Sequence, residues 1–192
     1  CCLANMHQGW PKFIESMWMA TNDNGLALVT YGPSIVKAMV GKGKEVTISE
    51  ETNYPFNGSV QLTINTEKPV IFPVDLRIPG WADSVMIKFK GKTVKVKNLS
   101  TYRIKERWKN GDQVFVEFPM HLRFEKQYNN SIALLRGPVY FSLRIDKEYK
   151  SIKINYDNYS YKGSVDWEIN PKSEWNYGLL IDKLNIMRAI KV

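Results

Sequence analysis

The hydrophobic pattern changes period once along the chain, near residue 25. Before that point, Trp10, Phe13, Ile14, Met17 and Trp18 recur at the i, i+3, i+4, i+7, i+8 spacing of one helix face, and Pro11 suits a first turn. This spacing predicts one helix near residues 11–20. Its end is expected in Thr21-Asn22-Asp23-Asn24-Gly25, because Asn and Gly tolerate the left-handed conformation that closes helices. From Leu26 onward, short runs of β-branched and aromatic residues alternate with polar ones, and the period becomes two. Strands are predicted at Leu26–Tyr31, Ile35–Val40, Val46–Ser49, Val60–Asn65, Val74–Ile78, Val85–Lys90, Thr93–Val96, Val114–Phe118 and Leu122–Glu125. Asn57-Gly58, Lys90-Gly91-Lys92 and Asn110-Gly111-Asp112 supply turns, the last two between consecutive strands. Many short strands without intervening helices predict a mainly β chain. The expected fold is an antiparallel, jelly-roll-like β-sandwich over residues 24–126, preceded by one helix.

Beyond it, an apolar stretch, Ile132–Leu135, meets Arg136-Gly137-Pro138, and Val139–Ile145 reads as another strand. Residues 147–176, rich in Lys, Tyr, Asn and Ser, read as irregular loops, and Gly178–Ile190 fits either a strand or a short helix.

Composition narrows the partners. With 44% hydrophobic and 24% charged residues, the 192-residue chain has an ordinary globular balance. No apolar run approaches the roughly 20 residues of a membrane span, so no membrane partner is expected. The net charge of +8 invites nucleic acid. Its lysines, however, alternate with apolar residues, as in Val94-Lys95-Val96-Lys97, which describes solvated strand faces and guarded sheet edges. No nucleic-acid motif accompanies the charge, and none is expected to bind.

The only two cysteines, Cys1 and Cys2, are adjacent at the start of the chain. A disulfide between them would be strained, because consecutive Cα atoms sit about 3.8 Å apart and bridges prefer about 4.4–6.8 Å. Two neighbouring thiols suit a soft metal such as zinc; they equally suit apolar packing, since free cysteine is often buried. The sequence begins in mid-motif without an initiator methionine, as a piece of a longer protein would. A mature lipoprotein also begins with Cys, but a polar tether would come next rather than Trp10-Pro11. The compartment stays open between periplasm and cytoplasm.

The segment Cys1-Cys2-Leu3-Ala4-Asn5-Met6-His7-Gln8-Gly9-Trp10-Pro11-Lys12-Phe13 resembles the segment closing the active site in β-L-arabinofuranosidase-type glycoside hydrolases, families 127 and 146. Leu76-Arg77-Ile78-Pro79-Gly80-Trp81, Ala133-Leu134-Leu135-Arg136-Gly137-Pro138-Val139-Tyr140 and Glu174-Trp175-Asn176-Tyr177 are similar to later segments of the same enzymes, in the same order. These later motifs read as structural. The resemblance implies a helical (α/α) barrel catalytic domain followed by β-sandwiches. Residues 1–22 would then be the end of the barrel, 24–126 a middle sandwich and 127–192 an incomplete further β segment. The catalytic domain is expected upstream.

The chemistry implied is retaining hydrolysis of L-arabinofuranosides in plant-type glycans, with a cysteine thiolate in place of the usual nucleophilic carboxylate. By resemblance, Cys1 matches the catalytic nucleophile, and Cys1 and Cys2 match two zinc ligands. A third cysteine, the zinc-binding glutamate and the acid/base glutamate would lie upstream of Cys1, so the chain alone is expected to be inactive. Glu15, His7 and His121 match none of these and read as solvated or structural residues. A second reading makes the sandwich a non-catalytic carbohydrate-binding or supporting module, with Trp81, Tyr102, Trp108 and Tyr128 as candidate sugar platforms, although aromatics in a two-sheet core are ordinary.

Overall fold

A computed structural model describes residues 2–97, 101–152, 166–176 and 178. Two short helices, α1 (Cys2–Met6) and α2 (Gly9–Glu15), lead into β1 (Trp18–Ala20), β2 (Leu26–Leu28), β3 (Ser34–Val40), β4 (Lys44–Thr52), β5 (Ser59–Asn65) and β6 (Val70–Arg77). Next come β7 (Ser84–Phe89), β8 (Lys92–Lys97), β9 (Thr101–Trp108), β10 (Asp112–Glu117), β11 (Leu122–Lys126), β12 (Ile132–Arg136) and β13 (Val139–Tyr140). A hairpin of β14 (Lys147–Ile152) and β15 (Asp166–Pro171) completes the described strands. The chain divides into two compact units, residues 1–140 and 141–192.

The first unit is built around a β-sandwich. One sheet has the order β1-β2-β6-β9 and the other β3-β4-β5-β10-β7-β8. All pairings are antiparallel except β2 with β6, where Leu26, Ala27 and Leu28 run parallel to Val74, Asp75 and Leu76. The two-residue period builds the core directly. Val46 and Ile48 of β4, Val60, Leu62 and Ile64 of β5, Val85 and Ile87 of β7, and Val114 and Val116 of β10 all point inward. They meet Leu26 and Leu28 of β2, Phe72, Val74 and Leu76 of β6, and Ile104 and Trp108 of β9. Such a shared interior is the main stabilising contribution, at about 25 cal/mol per Å² of apolar surface removed from water.

Trp108 is the largest fully buried side chain. Its indole N–H donates to the Phe72 carbonyl at 3.0 Å, its ring lies 6.1 Å from that of Phe72, and the Lys90 ammonium sits 5.8 Å from its centroid. Tyr102 packs against the same core, and Trp81 lies 5.8 Å from Phe118. Three of the four expected sugar platforms are therefore packing residues, and the fourth, Tyr128, is an isolated exposed ring in the turn before β12.

The strand Thr101–Trp108, not anticipated from the sequence, supplies much of this packing. Its inward positions are Tyr102, Ile104, Glu106 and Trp108; a carboxylate interrupts the apolar alternation and masks the period. Glu106 pairs with Lys92 of β8, which reaches it from the opposite sheet.

The helix expected over 11–20 ends at Glu15, and 18–20 is a strand instead. Met17 turns inward, its carbonyl accepts from the Val29 N–H at 2.9 Å, and Trp18 pairs with Leu28. Burial of Met17 and Trp18 on the sandwich produced a spacing that also fits a helix face. The Thr21–Gly25 stretch is a hairpin turn, closed by Thr21 N–H to the Gly25 carbonyl at 3.0 Å and Gly25 N–H to the Thr21 hydroxyl at 2.9 Å.

A third sheet, β11-β12-β13, includes the Arg-Gly-Pro turn as expected: Gly137 has φ +56°, and its carbonyl accepts from Arg123. The strand expected over 139–145 is only Val139–Tyr140. In the second unit, 147–176 is not loop throughout, since β14 and β15 pair along their whole length. Tyr149 and Trp167 meet edge-on at 6.1 Å, an exposed contact. Tyr149, Trp167 and Ile169 share one face, but the polar surroundings of this short run masked its alternation. Apart from Gly178, the stretch 178–190 lies outside the described residues.

Replacing Trp108 by Ala is expected to cost about 3–5 kcal/mol of unfolding free energy, because the indole leaves a cavity between the sheets. Denaturant titration of the 192-residue chain measures it.

Candidate functional site

The cysteine-bearing segment is attached to one end of the sandwich. Cys2 begins α1 and is exposed; Cys1 lies outside the described residues. After α1 the chain turns through His7 and Gln8, where the Gln8 N–H donates to the Asn5 carbonyl at 3.0 Å. Helix α2 then ends with the Ser16 N–H donating to the Lys12 and Phe13 carbonyls, each at 3.1 Å. A seven-residue helix is not stable by itself, so its position depends on the residues that leave it, Met17 and Trp18.

These residues enter a hydrogen-bonded anchor. The Trp18 indole N–H donates to the Ser34 hydroxyl at 3.1 Å, and that hydroxyl donates to Glu50 Oε2 at 2.8 Å. The second carboxyl oxygen of Glu50 accepts from the Gly32 N–H at 3.0 Å. Glu50 occupies an inward position of β4, in register with Val46 and Ile48, and is only 3% exposed. Burial pushes its pKa up to about 7, against the lowering effect of the Ser34 and Gly32 hydrogen bonds.

An aromatic cluster seals this end of the sandwich. Tyr31, Tyr54 and Trp81 surround Phe118, at 4.8, 6.0 and 5.8 Å between ring centroids. The Tyr31 hydroxyl donates to the Arg77 carbonyl at 2.8 Å; burial, with Glu50 second, raises its pKa. Leu76-Arg77-Ile78-Pro79-Gly80-Trp81 is thus a structural segment. Gly58 lets the backbone of Phe118 approach: a Cβ there would collide with the Phe118 carbonyl oxygen, while the Phe118 N–H donates to Gly58 at 2.9 Å.

The remaining sequence candidates do not converge. His7 and Glu15 are exposed on the helical segment, and His121 is exposed just before β11. Among the described residues, no three His, Cys, Asp or Glu side chains form a metal-binding group. Cys1 and Cys2 fit zinc in kind, as soft thiol donors, and would supply half of the four ligands that a tetrahedral ion takes. On α2, Trp10, Phe13 and Ile14 are exposed, with the Trp10 and Phe13 rings 6.2 Å apart and edge-on. Trp10 therefore stays largely exposed, whereas Trp18 is half-buried on the sandwich.

Residues 25–120, which span the sandwich from β2 to the end of β10, match the family model described as "Beta-L-arabinofuranosidase, GH127 middle domain". The chain belongs to the GH127 β-L-arabinofuranosidase family. Among solved structures, it is similar to a GH127 β-L-arabinofuranosidase from Geobacillus stearothermophilus T6, with 22% identity and a TM-score of 0.65, covering 89% of this chain and 34% of that one. A structure described as a glycoside hydrolase gives 19% identity and a TM-score of 0.66, covering 89% and 36%. A further GH127 β-arabinofuranosidase gives 23% and 0.64, covering 79% and 30%. At these identities the likeness is one of fold, and the chain spans about a third of the length of these proteins. No curated protein matches it.

Glu50, the centre of the anchor, was missed in the sequence. Its one sign was an acid at inward parity, after Val46 and Ile48. Because its folded pKa of about 7 exceeds its ordinary 4.5, its neutral form stabilises the fold fully below pH 4.5, and that contribution fades as pH rises through 7. The loss is expected to be about 3 kcal/mol, and Glu50→Gln, whose amide oxygen can still accept from the Gly32 N–H while its NH2 group donates to the Ser34 oxygen, is expected to flatten it. Unfolding curves at pH 5 and pH 8 for both proteins measure the difference.

Proposed function

We propose that this GH127 chain is the part of a retaining glycoside hydrolase that supplies the nucleophile for L-arabinofuranosides of plant-type glycans. The observation that carries the reading is the middle-domain match over residues 25–120, with the Cys1-Cys2 segment immediately before it and anchored to it by Met17 and Trp18.

In this reading, the Cys1 thiolate attacks the anomeric carbon, an S–C bond forms, and the glycosidic C–O bond breaks. The departing oxygen takes a proton from a carboxylic acid outside this chain. The carboxylate so formed then takes a proton from water as the water oxygen bonds to the anomeric carbon. The S–C bond breaks, the sugar leaves with retained configuration, and the thiolate and the acid are both restored. Cys1 and Cys2 would hold zinc together with donors upstream. Zinc bound there would keep the thiols ionised near neutral pH. The anchor at Ser34 and Glu50 fixes where the segment sits, which matters because misplacement of a reacting group is costly. The exposed face formed by Trp10, Phe13 and Ile14 would pack against the upstream catalytic domain.

In the complete enzyme, Cys1→Ser is expected to reduce hydrolysis of an aryl β-L-arabinofuranoside by about a thousandfold or more. The 192-residue chain alone is expected to show no turnover. Full activity of the serine variant would overturn the nucleophile assignment, and hydrolysis by the isolated chain would overturn its dependence on an upstream acid.

A further inference from the structure

The outer face of the six-stranded sheet carries a row of side chains in direct cross-strand register: Glu51, Gln61, Phe115, Lys88 and Thr93, contributed by β4, β5, β10, β7 and β8. Beside it runs a second row, Ser59, Glu117, Met86 and Lys95. Phe115 and Met86 are 43% and 41% exposed at the centre of the sheet, where only polar outward residues are needed. They line a groove of about 830 Å³ with Glu51, Gln61, Lys88 and Glu117. A second depression of about 490 Å³ shares Met86 and Glu117 and extends the track towards His121.

We propose that this track is a binding site for a neutral oligosaccharide, separate from the Cys1 chemistry. The proposal rests on the proposed glycan function only for the class of ligand. A phenyl ring and a thioether offer an apolar platform for the C–H face of a sugar ring. Around them, three carboxylates, an amide, hydroxyls and two ammonium groups supply both donors and acceptors for hydroxyls. The carboxylates Glu51, Asp83 and Glu117 nearly offset Lys88 and Lys95 and leave one negative charge in excess, so the track disfavours a polyanion and is too weakly charged to select a polycation. One carboxylate is already oriented, since the Ser59 hydroxyl donates to Glu117 Oε2 at 2.7 Å.

A peptide cannot add here as a strand, because β10 is paired on both sides, with β5 and with β7. The platform stands on central strands of the sandwich, which lowers the ordering cost of binding. An elongated track crossing five strands suits a linear ligand, its length growing by about 4.8 Å per strand.

The test uses the 192-residue chain labelled with ¹³C-methyl methionine, the Met86 resonance being assigned through Met86→Leu. Titration with a neutral linear arabino-oligosaccharide is expected to shift that methyl saturably at millimolar sugar, and an oligogalacturonate of equal length to bind less well. Phe115→Ala is expected to weaken binding by about tenfold or more, and Phe115→Leu, which keeps apolar volume without the ring, to weaken it as well. Circular dichroism checks that both variants fold; their exposed position predicts that they do. Cys1→Ser is expected to bind as the parent chain does, which separates this site from the nucleophile assignment. Absence of a saturable shift, unchanged affinity in both Phe115 variants, or preference for the anionic sugar would overturn the proposal.

Discussion

Strict alternation along the strands of two facing sheets is the constraint on which the rest of the structure depends. Each inward side chain must find a partner across one shared interior, and a slip of a single residue would expose the whole set. Val46, Ile48, Val60, Leu62, Ile64, Val114 and Val116 satisfy it on one sheet, and Phe72, Val74, Leu76, Ile104 and Trp108 on the other. Once the inner parity is committed, the outer parity is free. That freedom allows Gln61, Phe115, Lys88 and Met86 to form a surface that packing does not explain.

The same constraint makes the exceptions informative. Among the described residues, two acids are buried, and they are held differently. Asp75 receives two hydrogen bonds of 2.7 Å from the guanidinium of Arg103, its cross-strand neighbour, so its charge is directly compensated. Glu50 has only neutral donors, the Gly32 N–H and the Ser34 hydroxyl, and its carboxyl is held in the range where it titrates near neutrality. A carboxyl of that kind costs stability when ionised. Its place at the junction with Trp18 gives it a role that an apolar residue could not fill: it fixes the Ser34 hydroxyl that receives the indole.

The sandwich was largely legible because its central strands obey the period of two with β-branched residues. The Lys90-Gly91-Lys92 and Asn110-Gly111-Asp112 turns, with Gly91 and Gly111 at positive φ, marked their boundaries. Legibility failed where chemistry interrupts the alternation. Glu106 concealed β9, and Met17 with Trp18 imitated a helix because both residues are buried from a strand and a bend. In β14 and β15 the alternation is confined to the short run Asp166–Pro171, set in a stretch rich in Lys, Tyr, Asn and Ser. The role proposed for the cysteine pair rests on resemblance alone, since two adjacent thiols by themselves specify neither a metal nor a nucleophile. Aromatic residues misled for a related reason: size drew attention to Trp81 and Trp108, but in a two-layer core size favours burial. The smaller Phe115, at outward parity on a central strand, stays on the surface.

The attachment of the cysteine segment reflects how little that segment can stabilise itself. Helix α1 has five residues and α2 has seven, and α2 buries no side chain among the described residues. Helices so short do not persist without tertiary contacts. Met17 and Trp18 provide these contacts, one through apolar burial and the other through Ser34 to Glu50, immediately after α2 ends. Under the proposed mechanism, the middle domain therefore does more than fill space beside a catalytic barrel. It holds the downstream end of the segment that carries the nucleophile, while the exposed face of Trp10, Phe13 and Ile14 leaves the other side for the catalytic domain to hold. A thiol fixed from two sides loses less freedom on reaching its attack geometry than one at the end of a loose chain.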